Sequence, residues 1–266
     1  MILIDGRKAR EYYLPILQEK VKARGSLALL IVQVGNRADS DAYIKAKKAF
    51  ALKIGVKVQH VNFPEDVTQN EIIDLIEKNN DDKDVNGIIV QLPLPAHLNS
   101  DEIIGKISPD KDIDGLTPNT KFMPATARGI SELFDFYKIE LVNKNVVVMG
   151  RSKLVGTPIA NMCTKRGAFV TVLHSKSENP KVHTKKAEIL IVAIGKSNFV
   201  DDNYVASGQV VVDVGISRID EGENGRLVGD VDFEKVKDIV EMITPVPGGV
   251  GQMTVLALFE NLADSC

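Results

Sequence analysis

The sequence predicts an α/β fold built on parallel sheets and arranged as two domains. Three observations carry this reading. Residues 27–34, 87–91 and 145–149 are nearly continuous apolar runs, as expected of strands buried on both faces. Stretches of helical character separate the strands, which implies parallel pairing through right-handed crossovers. A passage rich in Pro, Asp, Gly, Thr and Asn, residues 109–124, interrupts the alternation, and a second strand–helix series opens at Asn145.

The elements follow in order. Residues 27–34 form the first strand. Residues 38–54 read as a helix ending at Gly55, a residue that adopts the left-handed C-cap without penalty. Residues 56–63 alternate roughly and form a second strand. Residues 68–78 form a helix in which Thr68 is the N-cap and Glu71, three residues on, completes a capping box. Residues 87–91 are a third strand, stopped by Pro93 and Pro95. Residues 126–137 form a boundary helix. The second series has strands at 145–149, 169–173, 189–194 and 210–214, and a hairpin turn at 222–225. Residues 244–251 are an extended, glycine-rich passage, and residues 251–261 a final apolar helix.

At 266 residues, the chain is long enough for two cores. Hydrophobic content of 44% and charged content of 26% are those of a soluble globular protein. A net charge of −3 without long basic runs argues against a nucleic-acid partner. No apolar run reaches the ~18 residues of a membrane helix, and residues 1–5 do not resemble a signal peptide. Two cysteines, Cys163 and Cys266, make no disulfide framework, and a cytoplasmic, reducing setting is expected. No metal-ligand spacing stands out.

Ser40, Tyr43 and Lys47 share one helix face, near the start of the helix after the first strand. Gln91 marks the carboxyl end of the third strand, the edge where open parallel sheets gather ligands. The segment Lys111-Asp112-Ile113-Asp114-Gly115 could bring a carboxylate to the same edge. One reading is a pocket in which Tyr43 stacks on a planar ring, Lys47 transfers protons, Gln91 orients the amine and Asp114 receives ring N–H groups. A core-edge tyrosine with a surface lysine fits the same spacing, and Asp114 before Gly115 is equally a turn former.

Gly150-Arg151-Ser152-Lys153-Leu154-Val155-Gly156 follows an apolar strand and precedes a helix, the mechanical form of a dinucleotide loop. Its spacing is not the standard Gly-x-Gly-x-x-Gly, since Ser152 stands where a glycine is usual; a structural turn remains the alternative. The next strand ends in His174-Ser175-Lys176, with no acid to hold the ribose hydroxyls. With Arg151 in the first loop, that basic tip suits a 2′-phosphate and favours NADP over NAD. Gly195 and Gly215, after the next two strands, fit close backbone approach to the cofactor.

These residues, taken together, resemble the bifunctional methylenetetrahydrofolate dehydrogenase/cyclohydrolase (FolD) family over essentially the whole chain. The resemblance rests on Val34-Gly35 followed by Ser40-x-x-Tyr43-x-x-x-Lys47, on Val90-Gln91-Leu92-Pro93-Leu94-Pro95, and on Pro109-Asp110-Lys111-Asp112-Ile113-Asp114-Gly115. It continues through Gly150-Arg151-Ser152, Val155-Gly156-x-Pro158, Pro245-Val246-Pro247-Gly248-Gly249-Val250-Gly251 and Met253-Thr254.

The resemblance implies a folate-binding domain at residues 1–119, with residues 251–266 packing back on it. It also implies an NADP-binding Rossmann-like domain at 120–250, a cleft between the two, and a homodimer. The implied activity is NADP-dependent oxidation of 5,10-methylenetetrahydrofolate, then hydrolysis to 10-formyltetrahydrofolate, in one-carbon metabolism and purine biosynthesis. By position, Lys47 and Gln91 are the implied catalytic pair. Ser40, Tyr43, Asp114, Pro247, Gly248 and Gly249 are implied to bind substrate. Gly150, Arg151, Ser152, Val155, Gly156, Ser175, Gly195, Gly215 and Ile216 are implied to bind NADP.

The chain departs from the family pattern in three places. Residues 115–124 form a shorter loop, Ala125 and Ala127-Arg128 replace common residues, and Gln252 stands where proline is usual. A monofunctional NAD-dependent dehydrogenase and a binding module without catalysis are the rival readings.

Overall fold

The structure, a computed structural model, describes residues 1–219 and 225–265. Of the turn expected at 222–225, only Gly225 falls within the described residues; Cys266 also lies outside them. The chain divides into two compact units. Residues 12–125 and 255–266 form the amino-terminal unit, and residues 1–11 and 126–254 the carboxyl-terminal unit.

The amino-terminal unit is built on three parallel strands in the order β3-β2-β4: β2 (Ala28–Val34), β3 (Lys57–Phe63) and β4 (Gly87–Val90). The central strand β2 is buried almost throughout. Its side chains alternate between faces. Leu30, Val32 and Val34 join Ile88 and Val90 of β4 in a core with Ile72, Ile73 and Ile76 of α3 (Gln69–Asp81) and Ile103 and Ile104 of α4 (Ser100–Ile104). Thr68 and Glu71 form a reciprocal capping box at the start of α3. The helix α2 (Ala38–Ile54) ends at Gly55, with φ of 78°, in the left-handed region.

The last helix, α9 (Val250–Asp264), returns its carboxyl half to this unit. Phe259 packs against Phe50 of α2 with ring centroids 5.4 Å apart. Asn261 donates to the carbonyls of Ile113 (2.8 Å) and Met123 (3.0 Å), and Asp264 pairs with Lys20.

The carboxyl-terminal unit holds a six-stranded, wholly parallel sheet in the order β1-β11-β8-β7-β5-β6. The strands are β1 (Ile2–Leu3), β5 (Asn145–Met149), β6 (Phe169–Leu173), β7 (Ile189–Val192), β8 (Val210–Asp213) and β11 (Met242–Ile243). The path runs outward from β5 to β6, then crosses to β7 on the other side of β5. That reversal is a topological switch point, where ligands bind beyond the strand ends.

Residues 1–11 pack with this unit, whereas the resemblance counts them in the folate-binding domain. β1 pairs with β11 (Ile2↔Met242), and the Gly6 N–H donates to the Gly248 carbonyl at 2.9 Å. The strand expected over 189–194 stops at Val192, because the Ile194 N–H turns to the Asp230 carboxylate at 2.7 Å. A short antiparallel pair, β9 (Ser217–Ile219) with β10 (Arg226–Val228), lies beyond β8.

Candidate active site

The lysine site lies in the amino-terminal unit. Lys47 sits in the middle of α2, and its Nζ donates to the Gln91 Oε1 at 2.9 Å. Gln91 follows the last residue of β4, and its backbone N–H donates to the Val32 carbonyl at 2.8 Å, which fixes it to the central strand. Its side-chain amide donates in turn to the Leu92 carbonyl at 2.9 Å. The side chain is therefore held at both ends, with its oxygen aimed at the amine. Two residues 44 positions apart in sequence meet where α2, the crossover that follows β2, comes against the end of β4.

Electrostatics make this amine unusual. Burial holds the Lys47 pKa below its ordinary 10.5, and the nearby Asp114 carboxylate only partly restores it. Burial also pushes the Asp114 carboxyl up; Lys47 opposes that shift and Asp112 adds to it. Both groups are thus displaced toward their neutral forms, which suits proton exchange.

Asp112 has a different job from Asp114. It is buried and accepts four hydrogen bonds: the N–H groups of Gly115 (3.1 Å), Leu116 (3.2 Å) and Thr117 (2.7 Å), and the Thr117 hydroxyl (2.8 Å). It shapes the turn that presents Asp114. Gly115 has φ of +75°, and a Cβ there would lie 2.7 Å from the Pro124 Cα, so the turn requires glycine.

Ser40 is buried and Tyr43 half-open on the same helix. A polar relay that sequence reasoning missed anchors the start of that helix. Gln33, buried on β2, donates to the Gly35 carbonyl (3.0 Å) and to Asp41 (2.7 Å), and its oxygen lies 2.9 Å from the His60 Nε2. Lys48 Nζ stands 2.7 Å from the His60 Nδ1. Lysine can only donate, so Nδ1 accepts and Nε2 carries the proton. Burial first, then Lys48, holds the His60 pKa down, which favours this neutral form. The sequence signal was Gln33, a polar residue inside an apolar strand.

Pro247, Gly248 and Gly249 lie in the carboxyl-terminal unit, just beyond β11. Gly248 has φ of +113°, and a Cβ on Gly249 would stand 2.6 Å from the Pro245 carbonyl. Gly6 packs on this turn so closely that a Cβ would meet the Gly249 oxygen at 2.1 Å. Gln252 donates its N–H to the Gly249 carbonyl at 3.1 Å, a bond that the proline expected from the resemblance cannot make.

The nucleotide-loop residues gather at the carboxyl edge of the six-stranded sheet. Gly150 follows β5 with φ of +120°, and a Cβ there would lie 2.1 Å from the Ala193 carbonyl after β7. Gly156 opens α6 (Gly156–Lys165), and its Cβ would lie 2.3 Å from the Gly150 oxygen. The two glycines let strand, loop and helix close on one another, as a dinucleotide turn demands.

Ser152 occupies the usual glycine position, and its hydroxyl accepts from the N–H groups of Val155 and Gly156, both at 3.2 Å. It therefore caps the helix start. Arg151 and Ser175 are exposed at the tips after β5 and β6. Gly195 and Gly215 follow β7 and β8 on the same edge, and Ile216 is 44% exposed beside them. A Cβ on Gly195 would meet nothing within 4 Å, so the space above it is open. These features fit a bound dinucleotide: a tight glycine turn and an open backbone surface.

Among the described residues, no group of three or more His, Cys, Asp or Glu could hold a metal ion, and no helix is long and apolar enough to cross a membrane.

A parallel sheet with a glycine loop at its switch point defines a dinucleotide-binding α/β protein, here joined to a second parallel-sheet unit that carries a desolvated lysine. Two family descriptions match the chain. "Tetrahydrofolate dehydrogenase/cyclohydrolase, catalytic domain" covers residues 4–114, and "Tetrahydrofolate dehydrogenase/cyclohydrolase, NAD(P)-binding domain" covers residues 124–266. The chain belongs to the tetrahydrofolate dehydrogenase/cyclohydrolase family.

"Bifunctional protein FolD" of Streptococcus agalactiae is 42% identical over 273 residues, covering 97% of this chain and 95% of that one. The crystal structure of the bifunctional FolD enzyme of Campylobacter jejuni superposes with a TM-score of 0.95 at 39% identity, covering 100% of this chain and 98% of that one. The FolD of Trypanosoma brucei, solved with NADP cofactor and inhibitor, also gives a TM-score of 0.95, at 31% identity, covering 100% and 97%.

Proposed function

We propose that this chain oxidises 5,10-methylenetetrahydrofolate to the methenyl compound with NADP+ and hydrolyses that product to 10-formyltetrahydrofolate. The observation that carries the reading is the Lys47 Nζ held 2.9 Å from the Gln91 oxygen in a desolvated site shared with Asp114. A lysine so placed is suited to acid–base work on a flat, cationic folate bridge.

Tyr43 stacks on the pterin ring, Asp114 receives its N–H groups, and Ser40 lines the pocket. Pro247, Gly248 and Gly249 are assigned to substrate binding by the resemblance alone. In the hydrolytic step, Lys47 as neutral amine takes a proton from the water that adds to the bridge carbon. It returns that proton to N5 as the bond from that carbon to N5 breaks, and the hydroxyl proton leaves to solvent. Gln91 keeps the amine aimed through both stages.

NADP+, when bound, supplies the hydride acceptor for the oxidation. Gly150, Ser152, Val155 and Gly156 hold its pyrophosphate by backbone approach at the start of α6, while Arg151 and Ser175 receive the 2′-phosphate. Gly195, Gly215 and Ile216 line the open edge. The oxidation needs no acid or base on the carbon, so this unit acts by positioning.

The absence of an acid after β6, where His174-Ser175-Lys176 stands instead, supports NADP over NAD. The enzyme works in the cytoplasm as a homodimer, feeding one-carbon units to purine biosynthesis. The exposed edge strand β6, with Phe169 at 63% exposure, offers a surface that a second copy can cover.

The test compares kcat/KM for NADP+ and NAD+ with 5,10-methylenetetrahydrofolate, and repeats the hydrolysis with Lys47→Met. A clear preference for NADP+, and loss of hydrolysis with folate binding retained, are expected. Equal use of both cofactors would overturn the roles of Arg151 and Ser175, and full hydrolysis by Lys47→Met would overturn that of Lys47.

A further inference from the structure

Two buried carboxylates in the carboxyl-terminal unit have no place in the chemistry above. Asp230, fully buried after β10, accepts three consecutive backbone N–H groups: Ile194 (2.7 Å) and Gly195 (2.9 Å) on one oxygen, and Lys196 (2.8 Å) on the other. Asp213, at the end of β8 and also buried, accepts from Gly215 (3.0 Å), Asp230 (3.0 Å) and Val231 (2.9 Å). Its own N–H donates to the Thr244 hydroxyl, 2.8 Å away and one residue beyond β11.

Six backbone donors thus converge on two acids, and they come from the turns after β7 and β8 and the segment after β10. The surroundings are cut to fit. A Cβ on Gly229 would stand 1.8 Å from the Asp213 Oδ2, and one on Gly215 would stand 2.3 Å from the Asp230 Cγ.

A turn that needed only to be closed would not require buried carboxylates. Burying a carboxyl is costly, and it is tolerated where its oxygens are hydrogen-bonded. Three N–H groups drawn inward to Asp230 leave the outer face of Gly195, with φ of +67°, bare and open. The same pair fixes Gly215 on the neighbouring strand end.

We propose that Asp230 and Asp213 are positioning residues for the dinucleotide site: one acid pair locks the turns after β7 and β8 so that Gly195 and Gly215 present a flat, pre-formed surface to NADP. This rests on the reading of that sheet edge as the NADP site. The pair touches neither cofactor nor substrate and acts through the backbone it holds.

The experiment is titration calorimetry of the full-length protein with NADP+, wild type against Asp230→Asn. In parallel, kcat and KM are measured for hydrolysis of 5,10-methenyltetrahydrofolate without cofactor. An amide accepts through one oxygen only, so at least one of the three N–H groups loses its partner. An increase in Kd for NADP+ of about tenfold or more is expected, with the hydrolysis parameters unchanged, since the lysine site belongs to the other unit.

Unchanged NADP+ affinity in the variant would overturn the proposal, as would parallel loss of binding, hydrolysis and thermal stability. If Asp230→Asn does not fold, Asp213→Asn carries the same test, and failure of both to fold would reduce the pair to a structural role and overturn it. Wild-type protein that does not bind NADP+ would instead overturn the assignment of the site itself.

Discussion

Replacing Gln91 by glutamate puts a carboxylate oxygen where an amide oxygen now stands, 2.9 Å from the Lys47 Nζ. Unit charges at that separation attract by roughly 6 kcal/mol at an effective dielectric of ~20. That attraction pulls the lysine pKa upward. Desolvation of the new carboxylate, and its repulsion from Asp114, take back part of it, leaving a net rise.

Burial at present holds the Lys47 pKa below 10.5 and so favours the neutral amine. Gln91→Glu cancels that advantage. Hydrolysis of 5,10-methenyltetrahydrofolate should fall at neutral pH, by about tenfold or more. The rate should then climb about tenfold per pH unit toward the new pKa. NADP+-dependent oxidation, which needs no base on the carbon, should fall far less. The assay is the decay of methenyl absorbance across about pH 6–9, corrected for spontaneous hydrolysis. A profile that superposes on that of the wild type would refute the argument that the Lys47 protonation state limits hydrolysis.

Other outcomes follow from the same geometry. Burial pushes the Asp213 carboxyl from 3.8 up to about 7, so the folded protein binds that proton more tightly than the unfolded chain. The resulting stability is complete below the ordinary carboxyl pKa and is lost as pH rises through about 7, an effect of up to about 4 kcal/mol. Asp213→Asn should lack it, so in urea unfolding the wild type's stability relative to the variant should fall between about pH 4 and 7. A constant difference would count against the raised pKa. Gly156→Ala drives a Cβ to 2.3 Å from the Gly150 carbonyl. It should cost about 1–3 kcal/mol and weaken NADP+ binding by calorimetry, whereas wild-type values would show that the turn can relax. Thr68→Ala removes half of a capping box and should cost about 1 kcal/mol by chemical denaturation, with both activities intact.

The sequence exposed those parts of the fold that depend on local chemistry. The apolar runs of β2, β4 and β5, the capping box at Thr68 and the left-handed Gly55 each carry their own signal within a few residues. The helix α1 (Gly6–Arg24) carried little: Pro15 lies inside it, and its buried positions include only Ala9, Leu17 and Val21 as apolar anchors. The two-residue strands β1 and β11 exist only as partners of each other and of β8, a long-range fact that periodicity cannot report.

The candidate site divides in the same way. Tyr43 and Lys47 were visible as helix neighbours and Gln91 as a strand end, but spacing alone did not separate a working lysine from a surface one. The 2.9 Å bond to Gln91 is what sets Lys47 apart from a surface lysine, and its catalytic role is proposed on that bond and on the family resemblance. Asp213 and Asp230 escaped notice because each is a single acid at a strand or loop end, and only the backbone of other turns makes sense of them. The Gly229-Asp230 pair was their one local trace.

The most direct test of the account is a product analysis on the purified wild-type protein with 5,10-methylenetetrahydrofolate and NADP+. The formation of NADPH is followed, the reaction is quenched in acid, and methenyl and formyl products are separated, with correction for formyl product that cyclises in the acid. The account predicts NADPH with 10-formyltetrahydrofolate and little methenyl accumulation. NADPH with methenyl lost no faster than its spontaneous hydrolysis would contradict it, and would leave the pairing of Lys47 with Gln91 without a reaction to serve.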